Sequence, residues 1–286
     1  MSETFDAGWL ALRERFDAAA RSPALAARFA AALPDAPVIA DLGAGTGSLF
    51  RWLAPRIGRD QGWLLVDADA GLLETGLGAI AHWARARGHG VRPDGDGIAI
   101  ETGAATWRVA ARLADLAAID RIGLAAADAV ACSALLDLVS PRWIGALAAR
   151  VRGPFLACLN VDGRDALLPR HAGDAAVRTG FRRDQARDKG FGPAAGRHAV
   201  AAVQAAFGAR GFAVETAPSD WRIGAAEAEM LVALVHGHAD AAARWMPSAR
   251  GAIAAWERAR VRQALAGRLA MRVGHRDVLA LKQGGR

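Results

Sequence analysis

Ten consecutive residues constrain this chain more than any others: Val38-Ile39-Ala40-Asp41-Leu42-Gly43-Ala44-Gly45-Thr46-Gly47. The apolar start reads as a short strand, and residues 49–53 can begin a helix soon after the glycines. Three glycines at alternate positions let the backbone turn sharply and let a ligand come close where a Cβ would stand in the way. The helix that follows offers N–H groups without intrahelical partners. Ligands of open α/β sheets sit beyond the carboxyl ends of the strands, which is where such a loop lies.

The chain around the loop alternates strand and helix. Residues 63–66 read as a second buried strand closed by Asp67, and 71–87 as a helix. Residues 107–111 are a third strand, with 98–100 able to pair against it as a hairpin across 102–105. A fourth strand covers 128–133, a helix 141–151 and a fifth strand 154–159. Strand and helix alternating in this way predict a parallel sheet with helices on both faces. Residues 7–32 carry apolar side chains at helical spacing and predict one N-terminal helix, ended by Pro34 and Pro37. Residues 160–193 are rich in Arg, Asp, His and Gly and predict a long irregular segment, either a solvated loop or a lid over a substrate. Then come a helix at 194–209, a sixth strand at 211–215, two or three helices over 225–267 and a seventh strand ending at 278–281.

Two families place a ligand on such a glycine loop. A dinucleotide site wants Gly-x-Gly-x-x-Gly, and here Ser48 stands at the last position. The loop instead reads Asp41-x-Gly43-x-Gly45-x-Gly47, and with it the chain resembles the class I S-adenosylmethionine-dependent methyltransferases. The resemblance covers residues 38–160 and beyond that rests on architecture. It implies a doubly wound, seven-stranded α/β sheet of order 3-2-1-4-5-7-6, its seventh strand antiparallel, with an N-terminal helix and a helical insertion between the last two strands. It implies S-adenosylmethionine as cofactor, its methionine end over Gly43, Gly45 and Gly47 beside Asp41 and near Ser133. Asp67 can accept both ribose hydroxyls, as only a carboxylate does well, but it would serve a dinucleotide ribose equally. In the family an acid at the position of Asp115 accepts from the adenine amine, and the N–H of Leu116 meets a ring nitrogen. Asp115 also reads as a helix N-cap. The stretch after the fourth strand, Ala131-Cys132-Ser133-Ala134-Leu135, lacks the Asn/Asp-Pro-Pro-aromatic motif common in enzymes that methylate nucleobase or glutamine nitrogen.

The expectation is one domain over 1–286, with 38–160 holding the cofactor and 1–35, 160–193 and 225–267 covering the substrate. The resemblance implies methyl transfer to a small-molecule acceptor. The net charge of +7 keeps a second function in view, an RNA methyltransferase; the third is a non-catalytic binding module on the same fold. The basic residues are spread along the chain, often beside acids, with no cluster interleaved with aromatics and no zinc spacing, so a small molecule is the expected partner ahead of nucleic acid, and no metal is expected. His171, Asp188 and Lys189 are the candidates for proton chemistry, with His198 and His275 as further histidines. Methyl transfer chiefly requires alignment of the acceptor and exclusion of water, so the lack of an evident dyad does not argue against it. Trp221, Trp245 and Trp256 read as core aromatics rather than substrate platforms. Cys132 and Cys158 lie in apolar runs and are expected buried and reduced. The first residues show no secretory pattern and no apolar run reaches membrane-spanning length, so the expected location is cytoplasmic.

Overall fold

The computed structural model describes residues 6–283; the N-terminal stretch 1–5, in which the secretory pattern was sought, lies outside the described residues, as do 284–286. In chain order, α1 (Ala7–Ala20) and α2 (Pro23–Ala31) precede β1 (Val38–Leu42), α3 (Ser48–Ile57), β2 (Gln61–Asp67) and α4 (Ala70–Arg85). Three strands follow, β3 (Gly90–Asp94), β4 (Gly97–Glu101) and β5 (Thr106–Leu113), and then β6 (Ala129–Ser133), α5 (Pro141–Ala148) and β7 (Phe155–Val161). The later half holds β8 (Ala166–Leu168), α6 (Asp174–Gln185), α7 (Ala199–Gly208), β9 (Phe212–Pro218) and β10 (Trp221–Ile223). It closes with α8 (Ala228–Trp245), α9 (Arg250–Leu265), β11 (Ala270–Val273) and β12 (His275–Lys282).

The main sheet has nine strands in the order β3-β4-β5-β2-β1-β6-β7-β12-β9. Within it β5-β2-β1-β6-β7-β12-β9 reproduces the expected 3-2-1-4-5-7-6, and β12 runs antiparallel to both β7 and β9. The expected count of seven is corrected to nine. β4 forms the hairpin with β5, pairing Ile98 with Val109, and β3 adds an outer antiparallel strand. β3 escaped the periodicity because Pro93, exposed charge and the edge position leave little alternation to read.

The central strands are apolar on both faces, as a sheet covered on both sides requires. Ile39 and Leu65 pack into one core layer, while Ala40, Leu42 and Val66 pack into the other. Cys132 and Cys158 are both free and buried, and burial raises both thiols well above their ordinary pKa. β6 and β7 are neighbours, but Ser133, not Cys132, stands opposite Cys158. The one-residue offset sends the thiols to opposite layers.

Three further expectations are corrected. The single N-terminal helix over 7–32 is two helices, because Ser22 caps α2 by accepting from Leu25 N–H and Pro23 follows at its first turn. The seventh strand divides at Gly274 into β12, in the main sheet, and β11, which pairs with β8 and β10 in a small second sheet. A Cβ at Gly274 would lie 2.8 Å from Arg164 Cβ and 3.1 Å from Arg164 Cα, so the close passage of the chain there favours glycine. The segment 160–193 is not irregular throughout: it contains β8 and α6. α6 is poor in apolar residues and is held by ion pairs to α8 and α9 instead. Asp184 accepts from Arg244 (2.6 Å) and Trp245 (3.0 Å), and Asp174 from Arg260 (2.6 Å) and Trp256 (2.8 Å). Among the described residues no helix is long and apolar enough to cross a membrane.

Candidate functional site

The C-terminal ends of β1, β2 and β6 open onto a cavity of about 510 Å³. Its floor is the glycine loop. Gly43, Gly45 and Gly47 all have positive φ, +68°, +51° and +78°, a region that disfavours any residue with a Cβ. The loop is fastened from several sides. Gly43 and Ala44 N–H both donate to Val66 O (2.8 and 3.2 Å), which ties the end of β1 to β2. Gly45 N–H donates to Asp67 Oδ2 at 2.8 Å, and Asp67 Oδ1 accepts from Asp69 N–H at 3.1 Å. Each oxygen of Asp67 thus keeps acceptor capacity on the cavity side. Gly76 of α4 closes against the loop, where a Cβ would stand 3.1 Å from Gly45 O. Arg51 donates to Thr46 O at 2.6 Å and pairs with Glu14 of α1.

Asp41, at the end of β1, lines this cavity and is 1% exposed. Neither of its carboxylate oxygens has a hydrogen-bond partner among the described residues. Burial raises its pKa to about 8, with the Arg21 charge opposing the rise and the Asp67 charge adding to it. Unmet acceptors on a buried carboxyl are costly and call for a donor.

A second group of wall residues comes from α1 and from the corner that follows it. Leu10, Arg13, Asp17 and Arg21 face the cavity. Asp17 accepts from Arg13 Nε (3.0 Å) and from Trp221 Nε1 (3.0 Å), and the Arg13 guanidinium lies 4.9 Å from the Trp221 ring centre. Arg21 is 2% exposed and donates to Ser48 Oγ (2.9 Å) and Ser133 Oγ (3.0 Å). Reading 7–32 as one continuous helix hid these residues. The signal that could have found them is Ser22-Pro23, a cap followed by a helix-starting proline, which breaks the helix beside Arg21.

The far wall is built by β6 and the loop after α6. Ala134 has φ +53° and donates to Cys158 O, so the chain bends sharply after Ser133. Phe191 meets Trp143 edge-on at 6.1 Å, and Trp143 Nε1 donates to Leu116 O at 2.7 Å, holding Leu116 in the wall.

The positions named from sequence thus separate. Asp41, Gly43, Gly45, Asp67, Leu116, Ser133 and Lys189 line one cavity, with Gly47 completing the loop beneath it. Asp115 is exposed outside the wall, and its carboxylate accepts from Ala117 N–H at 2.9 Å. Asp188 shapes the turn beside Lys189 by accepting from Gly190 and Gly192 N–H (2.7 and 3.0 Å). Lys189 is 5% exposed, and its Nζ donates to Gln185 O at 3.0 Å. His171 lies elsewhere, in a second cavity of about 390 Å³ between β8 and α6, with its Nδ1 accepting from Gly173 N–H. His198 donates nothing to the first cavity either; it sits against Arg197. His275 is buried, and burial lowers its pKa to about 4. Trp221 and Trp256 are buried in the core, but Trp245 is exposed, which corrects the expected core position: its indole N–H is spent on Asp184 of α6; none of the three lines the first cavity.

No family model matches the chain, and no curated protein sequence does. Solved structures similar to it include a SAM-dependent methyltransferase from Thiobacillus denitrificans in complex with S-adenosyl-L-homocysteine, at 14% identity and TM-score 0.45, covering 98% of this chain and 100% of that one. A cyclopropane synthase from Mycobacterium tuberculosis is similar at 12% identity and TM-score 0.45 (90% and 82% covered). A geranyl diphosphate C-methyltransferase from Streptomyces coelicolor is similar at 13% and 0.42 (91% and 78%). What decides the fold is the strand order of the sheet itself, with one antiparallel strand inserted between the fifth and sixth. This is the class I methyltransferase fold. Within this strand order the glycine loop lies at the end of the first strand and Asp67 at the end of the second, where the sheet opens.

Proposed function

We propose that this chain is an S-adenosylmethionine-dependent methyltransferase acting on a small molecule. The observation that carries the reading is Asp41: a buried carboxyl, partnerless among the described residues, beside a glycine loop that admits close approach to its backbone. S-adenosylmethionine carries an α-ammonium that meets this need, and a ribose diol that suits Asp67. The cavity, at about 510 Å³, lies within the range of small-molecule and cofactor sites.

When bound, the cofactor supplies an electrophilic sulfonium methyl and its own leaving group. The chain's part is then positioning. Asp41 holds the amino end, Asp67 accepts from the ribose, and Leu116 and Leu135 give apolar walls. Asp67 also keeps Gly45 in register, so one carboxylate both shapes the loop and receives the ligand. Residues 38–160 are thereby the cofactor-holding half. The elements over the acceptor are α1 with Leu10 and Arg13, and the 186–193 loop with Lys189 and Phe191, which together exclude water. Residues 225–267 do not reach the cavity; they brace α6 through Asp174 and Asp184. Of the three proton-chemistry candidates, Lys189 alone faces the cavity, and Asp188 and His171 act on local backbone.

The test is calorimetric titration of the protein with S-adenosylhomocysteine, followed by transfer of labelled methyl from S-adenosylmethionine to pooled small-molecule fractions and to bulk RNA. Label in the small-molecule pool supports the proposal. Label confined to RNA, with filter retention at physiological salt, would replace the acceptor class. Cofactor binding without transfer to either pool would leave a binding module.

A further inference from the structure

Arg21 is the least expected side chain in the cavity wall. It is 2% exposed, and the carboxylate it pairs with, Asp17, stands 3.9 Å away and is already engaged by Arg13 and Trp221. Buried charges are ordinarily matched by a close, hydrogen-bonded partner. Here Nη1 and Nη2 reach the neutral Ser48 O, Ser48 Oγ and Ser133 Oγ, and Nε is buried with no partner among the described residues. The same cavity therefore holds a carboxyl with no hydrogen-bond donor and a guanidinium with no carboxylate within hydrogen-bond distance, its Nε unpartnered among the described residues.

The position of Arg21 is built rather than incidental. It occupies the corner between α1 and α2, where ψ is 140° and the helix has ended. The next residue is pinned from the opposite end of the chain: Ser22 N–H donates to Asp277 Oδ2 at 2.7 Å. The other oxygen of Asp277 accepts from Leu159 N–H at 2.8 Å, and Leu159 itself has φ +58°. A buried carboxylate on β12, satisfied by backbone from β7 and from the corner, thus fixes where the Arg21 side chain leaves the main chain. The Ser48 hydroxyl at the start of α3 and the Ser133 hydroxyl at the end of β6 then fix where the guanidinium lies, alongside the glycine loop.

We infer that Arg21 is the receptor for the carboxylate of the cofactor's amino-acid end, with Asp277 as its positioning residue. This rests on the proposed function, since it presumes a ligand with an α-amino acid terminus on the glycine loop. A zwitterion meets both needs at once: its ammonium goes to Asp41 and its carboxylate to Arg21. A guanidinium is suited to this, because it stays charged when buried and presents its donors in a planar fork. Uncharged fragments of the same cofactor would leave both groups unmet.

The experiment compares two ligands that differ only in the carboxylate: S-adenosylhomocysteine and its decarboxylated amine, S-adenosyl-3-thiopropylamine. Wild-type protein, Arg21→Gln and the double variant Ser48→Ala/Ser133→Ala are titrated with each by calorimetry, and melting without ligand checks folding. Wild type is expected to prefer S-adenosylhomocysteine by roughly 10- to 100-fold, the range for a charge-assisted pair. Arg21→Gln should erase that preference while leaving the amine's affinity within about twofold, and the double variant should reduce it by a few fold. If Arg21→Gln does not fold, the double variant decides, since it removes two hydroxyls and no charge. Equal weakening of both ligands in the variants, or no preference in wild type, overturns the assignment of Arg21 while leaving the proposed function standing. Wild-type binding of neither ligand overturns the proposed function and this inference together.

Discussion

Asp41→Asn should make the unliganded protein more stable and its cofactor binding weaker, and the two effects have separate pH signatures. In the unfolded chain the carboxyl titrates at its ordinary 3.8, and in the cavity at about 8. Between those values the folded state binds the proton more strongly than the unfolded one, so stability is greatest below about pH 4 and falls as pH rises, levelling off above about 8. At pH 7 the interval is about three units, which at ~1.4 kcal/mol per unit is on the order of 4 kcal/mol. Asparagine has the same shape and does not titrate. Urea denaturation of both proteins from pH 4 to 9 should therefore give curves that coincide near pH 4 and diverge in favour of the variant up to about pH 8. Calorimetry with S-adenosylhomocysteine at pH 6.5, in two buffers of different ionisation enthalpy, should show release of close to one proton by wild type and none by the variant. The variant's affinity should be lower by roughly 10- to 100-fold, the loss of a charge-assisted hydrogen bond. A variant that is less stable at pH 8, or wild-type binding with no proton release, would refute the reasoning from burial.

Asp67→Ala should weaken S-adenosylhomocysteine binding by roughly 10- to 100-fold in a direct titration, through loss of the ribose acceptor and release of Gly45 N–H. Asp174→Ala should cost about 3–5 kcal/mol in chemical denaturation, because it leaves Arg260, wholly buried, without its carboxylate. His171→Ala should leave S-adenosylhomocysteine affinity within about twofold, since that ring lies in the second cavity.

The cofactor half was legible because its signals are local. Asp41-x-Gly43-x-Gly45-x-Gly47 sits between a strand and a helix, and both boundaries follow from apolar runs and from glycines that must take positive φ. The main strand order followed from the alternation and the resemblance. What escaped was set by tertiary partners. β3 is an edge strand whose pairing with β4 its own composition does not advertise. α6 looked like loop because its stability lies in Asp174 and Asp184 meeting Arg260, Trp256, Arg244 and Trp245, on helices more than fifty residues away. Asp115 and Leu116 are adjacent in sequence, yet only Leu116 reaches the cavity wall, held there by Trp143. Arg21 was the costliest omission. Ser22-Pro23 announces the break in the N-terminal helix, but the corner's direction depends on Asp277 near the other end of the chain.

The most direct measurement is the calorimetric titration of wild-type protein with S-adenosylhomocysteine and, separately, with nicotinamide adenine dinucleotide. One molecule of S-adenosylhomocysteine per chain with saturable micromolar or tighter affinity, and no heat of binding from the dinucleotide, is the predicted result. Saturable dinucleotide binding with none by S-adenosylhomocysteine would contradict it.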